Sequence, residues 1–153
     1  MPKVEVLVVA LGSPFLVGIY EEGRLIREIR EDRRVSDALA SIFETLQASY
    51  TITSLYYAKG PGSFMSIKLS YIFLRSYAII NAIVLKSVDA FYFNQSQPIK
   101  AVGKLVFVKN ADTITMQRYD DTMNIGMNFT LPNYLKPEDY SSDNEPYYGI
   151  DAV

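Results

Sequence analysis

The residues with the clearest capacity for chemistry lie in the run Lys59-Gly60-Pro61-Gly62-Ser63-Phe64. Two glycines open backbone angles closed to other residues and can bring N–H groups around an anion, while Ser63 is suited to cap a following helix. Two readings stand for this run, a phosphate-binding turn and a corner that only redirects the chain. Pro61 brings no N–H, and no Gly-Lys-Ser/Thr follows, so the P-loop pattern fails; a dinucleotide-type Gly-x-Gly-x-x-Gly is absent too. Cysteine and histidine are both missing, which excludes disulfides, thiol nucleophiles, histidine bases and the usual zinc sites. For metal chemistry there remain carboxylates such as Asp112, Asp120 and Asp121, expected to flank a hairpin in solvent.

The elements around the run are a strand and a helix. Leu55, Tyr56 and Tyr57 favour a strand, and Pro61 keeps Gly60 out of helical geometry. Behind the corner, the apolar stretch from Phe64 to Val84 predicts a helix whose charges are confined to Lys68 and Arg75, seven apart on one stripe. Ser66 and Ser70 form a stripe of small residues. Phe64, Ile67, Tyr71, Ile72, Phe73, Leu74, Tyr77, Ile79 and Ile80 cover most of the circumference, so the helix is expected to be buried on several sides. It can be a central core helix, or part of it can face another protein, small residues four apart letting a second helix approach. Two charges in the run, each costing roughly 2.5–3.5 kcal/mol at a bilayer centre, argue against a membrane span.

In chain order, Val4 to Leu11 reads as a strand buried on both faces, Gly12-Ser13-Pro14 as a turn, and Phe15 to Tyr20 as a returning strand. Glu21-Glu22-Gly23 turns again, and Arg24 to Arg30 alternates Leu25, Ile26 and Ile29 with charge as an edge strand does. Ser36 is expected to cap a helix with Val35, Leu39, Ile42, Phe43 and Leu46 inside and Asp37 and Glu44 outside. With the strand Leu55 to Ala58, the long helix and a short strand Ile83 to Lys86, the first half reads β-β-β-α-β-α-β. Leu105 to Lys109 and Thr113 to Tyr119 alternate about Asn110-Ala111-Asp112 as a hairpin. From Pro137 on, the tail is rich in Asp, Glu, Ser and Tyr, including Tyr140, Tyr147 and Tyr148; disorder is the expectation, a segment that orders on a partner the alternative.

The chain has 153 residues, 49% of them apolar, enough for a core of one domain or one with a small appendage. A net charge of −2 gives no electrostatic reason for tight nucleic-acid binding by this chain alone. Glu5 and the Gly12-Ser13-Pro14 break interrupt any signal-peptide pattern, and no small-residue cleavage site follows, so the cytoplasm is the expected compartment.

The run from Tyr57 to Ser70 resembles the signature of the TsaB (YeaZ) family, in which a strand enters Gly-Pro-Gly-Ser-Phe-Thr-Gly-x-Arg-x-Gly. The Gly-Pro-Gly-Ser-Phe core is identical; Ser66 and Ser70 stand where the family has glycines and Lys68 where it has arginine. Arg33-Arg34-Val35-Ser36-Asp37 is similar to the family's Arg-His-Ser-Glu helix start, with Val35 in place of histidine. Ser87-Val88-Asp89-Ala90 is similar to its Ser-Ser-Leu-Glu-Ala step, and Leu131 to Lys136 to its Pro-x-Tyr-Leu-Arg segment. The resemblance implies an α/β fold of the actin-like (ASKHA, ribonuclease H-like) class. Residues 1–100 would be the N-terminal half-domain, 101–136 a truncated second half of a hairpin and tail motif, and 137–153 a C-terminal tail.

It also implies a function. TsaB-like proteins are non-catalytic partners of TsaD, which transfers threonylcarbamoyl to adenosine 37 of tRNA, and TsaE, an ATPase, joins the assembly. Carried over by position, the partner interface falls on Val35, Asp37, Leu39, Ser63, Phe64, Met65, Ser66, Ile67, Ser70, Tyr71 and Leu74, next to the signature turn Gly60, Pro61 and Gly62. On this reading Ser66→Leu or Ser70→Leu leaves the monomer folded and abolishes the heterodimer. An actin-like phosphotransferase needs a carboxylate at the first hairpin; Val9 to Phe15 has none, where many relatives have Asp-Thr-Ser. The chain is therefore expected to hold no cofactor and to do no catalysis, to meet tRNA only indirectly and no membrane, with nucleotide binding at the complex interface left open. The alternatives are a homodimer through the same helix, and a residual nucleotide-binding ATPase.

Overall fold

The computed structural model describes residues 1–149. Three strands open the chain, β1 Lys3–Val9, β2 Phe15–Glu21 and β3 Arg24–Glu31. Helix α1 Val35–Ser49, strand β4 Thr51–Ala58, helix α2 Phe64–Asn81 and strand β5 Val84–Val88 follow. They build one sheet in the order β3-β2-β1-β4-β5, antiparallel through the opening meander and parallel from β1 to β4 to β5. This is the expected β-β-β-α-β-α-β order of an actin-like half-domain.

Strand β1 is central because both of its faces are apolar. Val4, Val6 and Val8 point into one core and Leu7 and Val9 into another. Strand β3 is an edge, as its alternating charges require, and a register shift opposite Ile19 and Tyr20 puts its two ends on opposite faces: Ile29 packs on the first core and Leu25 on the second.

Helices α1 and α2 cover the first face. Leu39, Ile42, Phe43 and Leu46 of α1 and Leu74 and Ala78 of α2 meet Val6, Val17 and Leu55 of the sheet. Phe43 sits edge-on to Phe73 and Tyr77, each at 5.1 Å between ring centres, and ties the helices together. Helix α1 starts one residue before the expected cap. Arg34 is the N-cap, without a side-chain bond, and its carbonyl accepts the Asp37 N–H at 2.9 Å, so Ser36 is already inside the first turn. Asp37 in that turn complements the positive helix end. Helix α2 stops at Asn81, short of Val84, because Ala82 adopts the left-handed conformation at φ 55°.

The second face is covered by most of the described residues after β5. A short 3-10 turn Ala90–Phe93, a small sheet of β6 Ile99–Lys100, β7 Leu105–Asn110 and β8 Thr113–Arg118, and the tail lie over Leu7, Val9, Leu16, Tyr20 and Tyr56. Strands β7 and β8 form the hairpin expected from the alternation, while β6 has too short an apolar pattern to be read.

Disorder from Pro137 does not hold for residues 137–149. Leu131, Leu135 and Tyr140 are buried in the second core, and the Tyr140 ring packs edge-on against Tyr56 at 4.9 Å. The tail then pairs with β5, where Ser87 and Ser141 exchange backbone bonds of 2.9 and 2.7 Å. Composition suggests disorder because it counts the acids; the tyrosine rings supply the apolar area that offsets the ordering entropy. The last four residues of that expectation, 150–153, lie outside the described residues.

Candidate functional site

The corner after β4 joins three segments. The Lys59 N–H donates to the Val88 carbonyl at 3.0 Å, the Gly60 carbonyl accepts the Ala90 N–H at 2.8 Å, and the Ser63 N–H donates to the Leu11 carbonyl at 2.9 Å. Gly60 has φ +113°, and a Cβ there would overlap the carbonyl oxygen of Tyr147. Gly62 lies less tightly against Leu11, whose carbonyl oxygen a Cβ there would meet at 2.9 Å. Ser63 occupies the N-cap of α2 but its hydroxyl makes no capping bond. The Lys59 and Ser63 N–H groups and the Lys59 and Gly60 carbonyls thus tie the corner to the ends of β1 and β5 and to the tail, the geometry of a junction in the fold.

Helix α2 has an inner and an outer face, and the eleven interface positions inferred from the family signature divide between them. Ile67, Ser70 and Leu74 form the inner face, packed on the sheet; Ser70 is 1% exposed and its hydroxyl donates to the Ile67 carbonyl at 3.0 Å. Val35 and Leu39 are likewise buried under α1. Ile67, Ser70 and Leu74 are closed to a partner while the fold is intact, and Val35 and Leu39 show only at the floor of a groove between α1 and α2. Asp37, Ser63, Phe64 and Met65 are exposed, and Ser66 and Tyr71 are half-buried. Of the signature turn, Gly60 and Pro61 are buried and Gly62 half-buried. Ser66 and Ser70 therefore do not form one open stripe for a second helix, since Ser70 faces the sheet.

The outer face is instead Met65, Lys68, Ile72, Arg75 and Ile79, spaced three and four residues apart like the seam of a helix pair. Met65 is 55%, Ile72 49% and Ile79 66% exposed. Sequence reasoning identified the Lys68–Arg75 stripe but missed that Ile72 and Ile79 share it; the seven-residue spacing of the two cations was the available signal. Beside this face, Val35, Ser36, Leu39, Ala40, Leu69, Ile72, Phe73 and Ser76 line a groove of about 390 Å³ between α1 and α2. Its chemistry is apolar with a cationic rim. The Lys68 ammonium lies 5.8 Å from the Phe64 ring, the first turn of α2 has no acid, and Asp37 and Glu44 stand exposed on α1.

Little elsewhere has the makings of a reactive centre. Among the described residues no group of three or more acids comes together to hold a metal ion. A cavity of about 300 Å³ at the β1–β2 turn has Arg30 as its ionisable lining residue. Glu5, at the other end of β1, accepts from the hydroxyls of Ser54 at 2.6 Å and Tyr56 at 2.8 Å. Burial first, then the neighbouring carboxylates, push the Tyr56 and Tyr92 hydroxyls up to about 12 and keep them neutral. Burial raises Tyr20, Tyr57 and Tyr140 further in the same direction. No described helix is long and apolar enough to cross a membrane.

No protein-family model matches the sequence, and no curated protein matches it. Solved structures do match. YeaZ from Pseudomonas aeruginosa superposes with a TM-score of 0.61 at 13% identity over 76% of this chain. A Pseudomonas aeruginosa protein described as similar to peptidase YeaZ superposes with a TM-score of 0.53 at 14% identity over the same share. The chain spans 64% of the length of each. At such identities the likeness is one of fold: the five-stranded sheet with its two helices has the fold of YeaZ.

Proposed function

We propose that this chain is a divergent TsaB-like scaffold which docks a TsaD-type subunit through the outer face of α2 and the α1/α2 groove, and holds it in the conformation that transfers threonylcarbamoyl to tRNA. The observation that carries the reading is the apolar stripe Met65, Ile72 and Ile79 left open beside an apolar groove. Such a face on a folded domain marks an interaction surface. The YeaZ fold and the identical Gly-Pro-Gly-Ser-Phe run say which partner to test first. The role is conformational, without chemistry by this chain; TsaE joins the assembly, tRNA is met through TsaD, and the setting is the cytoplasm. The test is co-purification with TsaD of the same organism, then a threonylcarbamoylation assay with each component omitted in turn. Activity that requires this chain supports the reading; full activity without it, and no complex, refutes it.

A second reading has its own observation. Lys68 and Arg75 on α2 and Asp37 and Glu44 on α1 are each seven residues apart, about 10 Å along a helix. The face is thus self-complementary under a two-fold axis, α2 of one copy against α1 of the other. Light scattering of the isolated chain, then with TsaD added, distinguishes a homodimer that yields to the partner from one that excludes it.

A further inference from the structure

The segment Glu145–Gly149 lies across the start of α2, and it is held far more lightly than the tail that precedes it. Upstream, Asn144 is buried, its side-chain N–H donates to the Leu85 carbonyl at 2.9 Å, and its carbonyl accepts the Tyr57 hydroxyl. Ser87 and Ser141 pair by two backbone bonds, and the Ser87 hydroxyl donates to the Asp143 carbonyl at 3.0 Å. From Glu145 through Gly149 no residue is buried. Among the described residues the Tyr148 ring packs against the second core and the Tyr147 carbonyl lies against Gly60, and three further contacts hold the segment. The Tyr147 N–H donates to the Lys59 carbonyl at 2.7 Å, the Tyr148 ring lies 4.6 Å from the Phe64 ring, and Gly149 lies against Phe107. Phe64, exposed at the start of α2 with the Lys68 ammonium of the outer face 5.8 Å from its ring, is thereby already in contact with an aromatic ring of its own chain.

We propose that Glu145–Gly149 is an autoinhibitory strap that hinges beside Asn144, keeps Tyr148 on Phe64, and swings off when a partner packs on the start of α2. The identity of the displacing partner rests on the docking reading above; the separate opening of the strap does not. A lightly attached terminal segment opens at lower free energy than the sheet beneath it. A partner that buries Phe64 binds only the open form, so its apparent affinity falls with the fraction of chains that are closed.

The chain contains no tryptophan, so Tyr148→Trp puts a single fluorescent indole in the strap. The first experiment heats this variant alone. Indole emission is expected to shift red, and acrylamide quenching to rise, roughly 10 °C or more below the loss of far-UV circular dichroism. Coincident transitions overturn the proposal, because the strap would then open only with the whole fold. The second experiment adds TsaD. Emission is expected to shift red on binding, and Tyr148→Ala is expected to bind at least about 3-fold more tightly than the unsubstituted chain. Binding that leaves the indole unchanged, or a Tyr148→Ala affinity equal to or weaker than that of the unsubstituted chain, overturns autoinhibition. If TsaD binds no form, the docking reading fails, and the heating experiment still decides whether the strap opens on its own.

Discussion

One pair of substitutions, Ser70→Leu and Ile72→Ala, tests which face of α2 is free. Ser70 is 1% exposed between Ile67 and Leu74, so a leucine there must be forced into a filled core and loses the bond from the hydroxyl to the Ile67 carbonyl. Overpacking of this kind costs about 1–3 kcal/mol. With a urea slope of about 2 kcal/mol per molar, the unfolding midpoint falls by about 0.5–1.5 M. Ile72 is 49% exposed, so about half of the 1.5–3 kcal/mol that burying an isoleucine yields is still to be gained on docking. Its removal weakens the complex by about 0.7–1.5 kcal/mol, roughly 3- to 10-fold in affinity. Urea unfolding followed by circular dichroism, with calorimetry against TsaD, reads both quantities on both variants. A Ser70→Leu chain with the native midpoint but no binding would refute the reasoning, because α2 would then have to be turned with its serine outward. Unchanged affinity in Ile72→Ala would equally remove the outer stripe from the interface.

Three further outcomes follow from the packing. Gly60→Ala must adopt φ +113° and displace the Tyr147 carbonyl, a strain of about 1–3 kcal/mol that lowers the melting temperature by roughly 3–10 °C in a scanning experiment. Asn144→Ala leaves the Leu85 carbonyl without its buried donor and costs about 1–3 kcal/mol in urea unfolding. Stability also falls at alkaline pH. The buried tyrosines have folded pKa values raised above the unfolded value near 10, Tyr56 to about 12. Their contribution is therefore complete below about pH 10 and is lost as pH rises through the folded values. A free energy of unfolding that stays level from pH 9 to pH 12 would contradict the burial of these hydroxyls.

The topology was legible because each step has a local cause. The double-faced apolar run of β1, the turns at Gly12-Ser13-Pro14 and Glu21-Glu22-Gly23, and the 3.6-residue period of α1 all agree with the final packing. Orientation of α2 was not legible in the same way. Its residues are apolar around most of the circumference, so Ile67-Ser70-Leu74 and Met65-Ile72-Ile79 satisfy a helical period equally well. What separates them is the charge at Lys68 and Arg75, which cannot enter the core unpaired and so marks the outer side. The tail failed for a different reason. Tyr140 and Asn144 are held by Tyr56, Tyr57 and Leu85, residues far away in sequence, and composition carries no information about such partners.

The covering of the second sheet face bears on the function. An actin-like half-domain with nothing behind it would leave Leu7, Val9, Leu16 and Tyr56 bare, and those residues alone would drive aggregation. Here the 3-10 turn, the β6–β8 sheet and the tail close that face. They do so by long-range fits: Gly18 carries no side chain because a Cβ would crowd the Tyr20 ring and Leu131, and the Tyr20 hydroxyl donates to the Pro132 carbonyl at 2.6 Å. On the helical side, apolar surface stays open on the stripe of α2 and in its groove against α1. On the proposed reading a partner that binds by burying apolar area takes this helical side, where the Tyr148 ring lies 4.6 Å from the Phe64 ring at the start of α2.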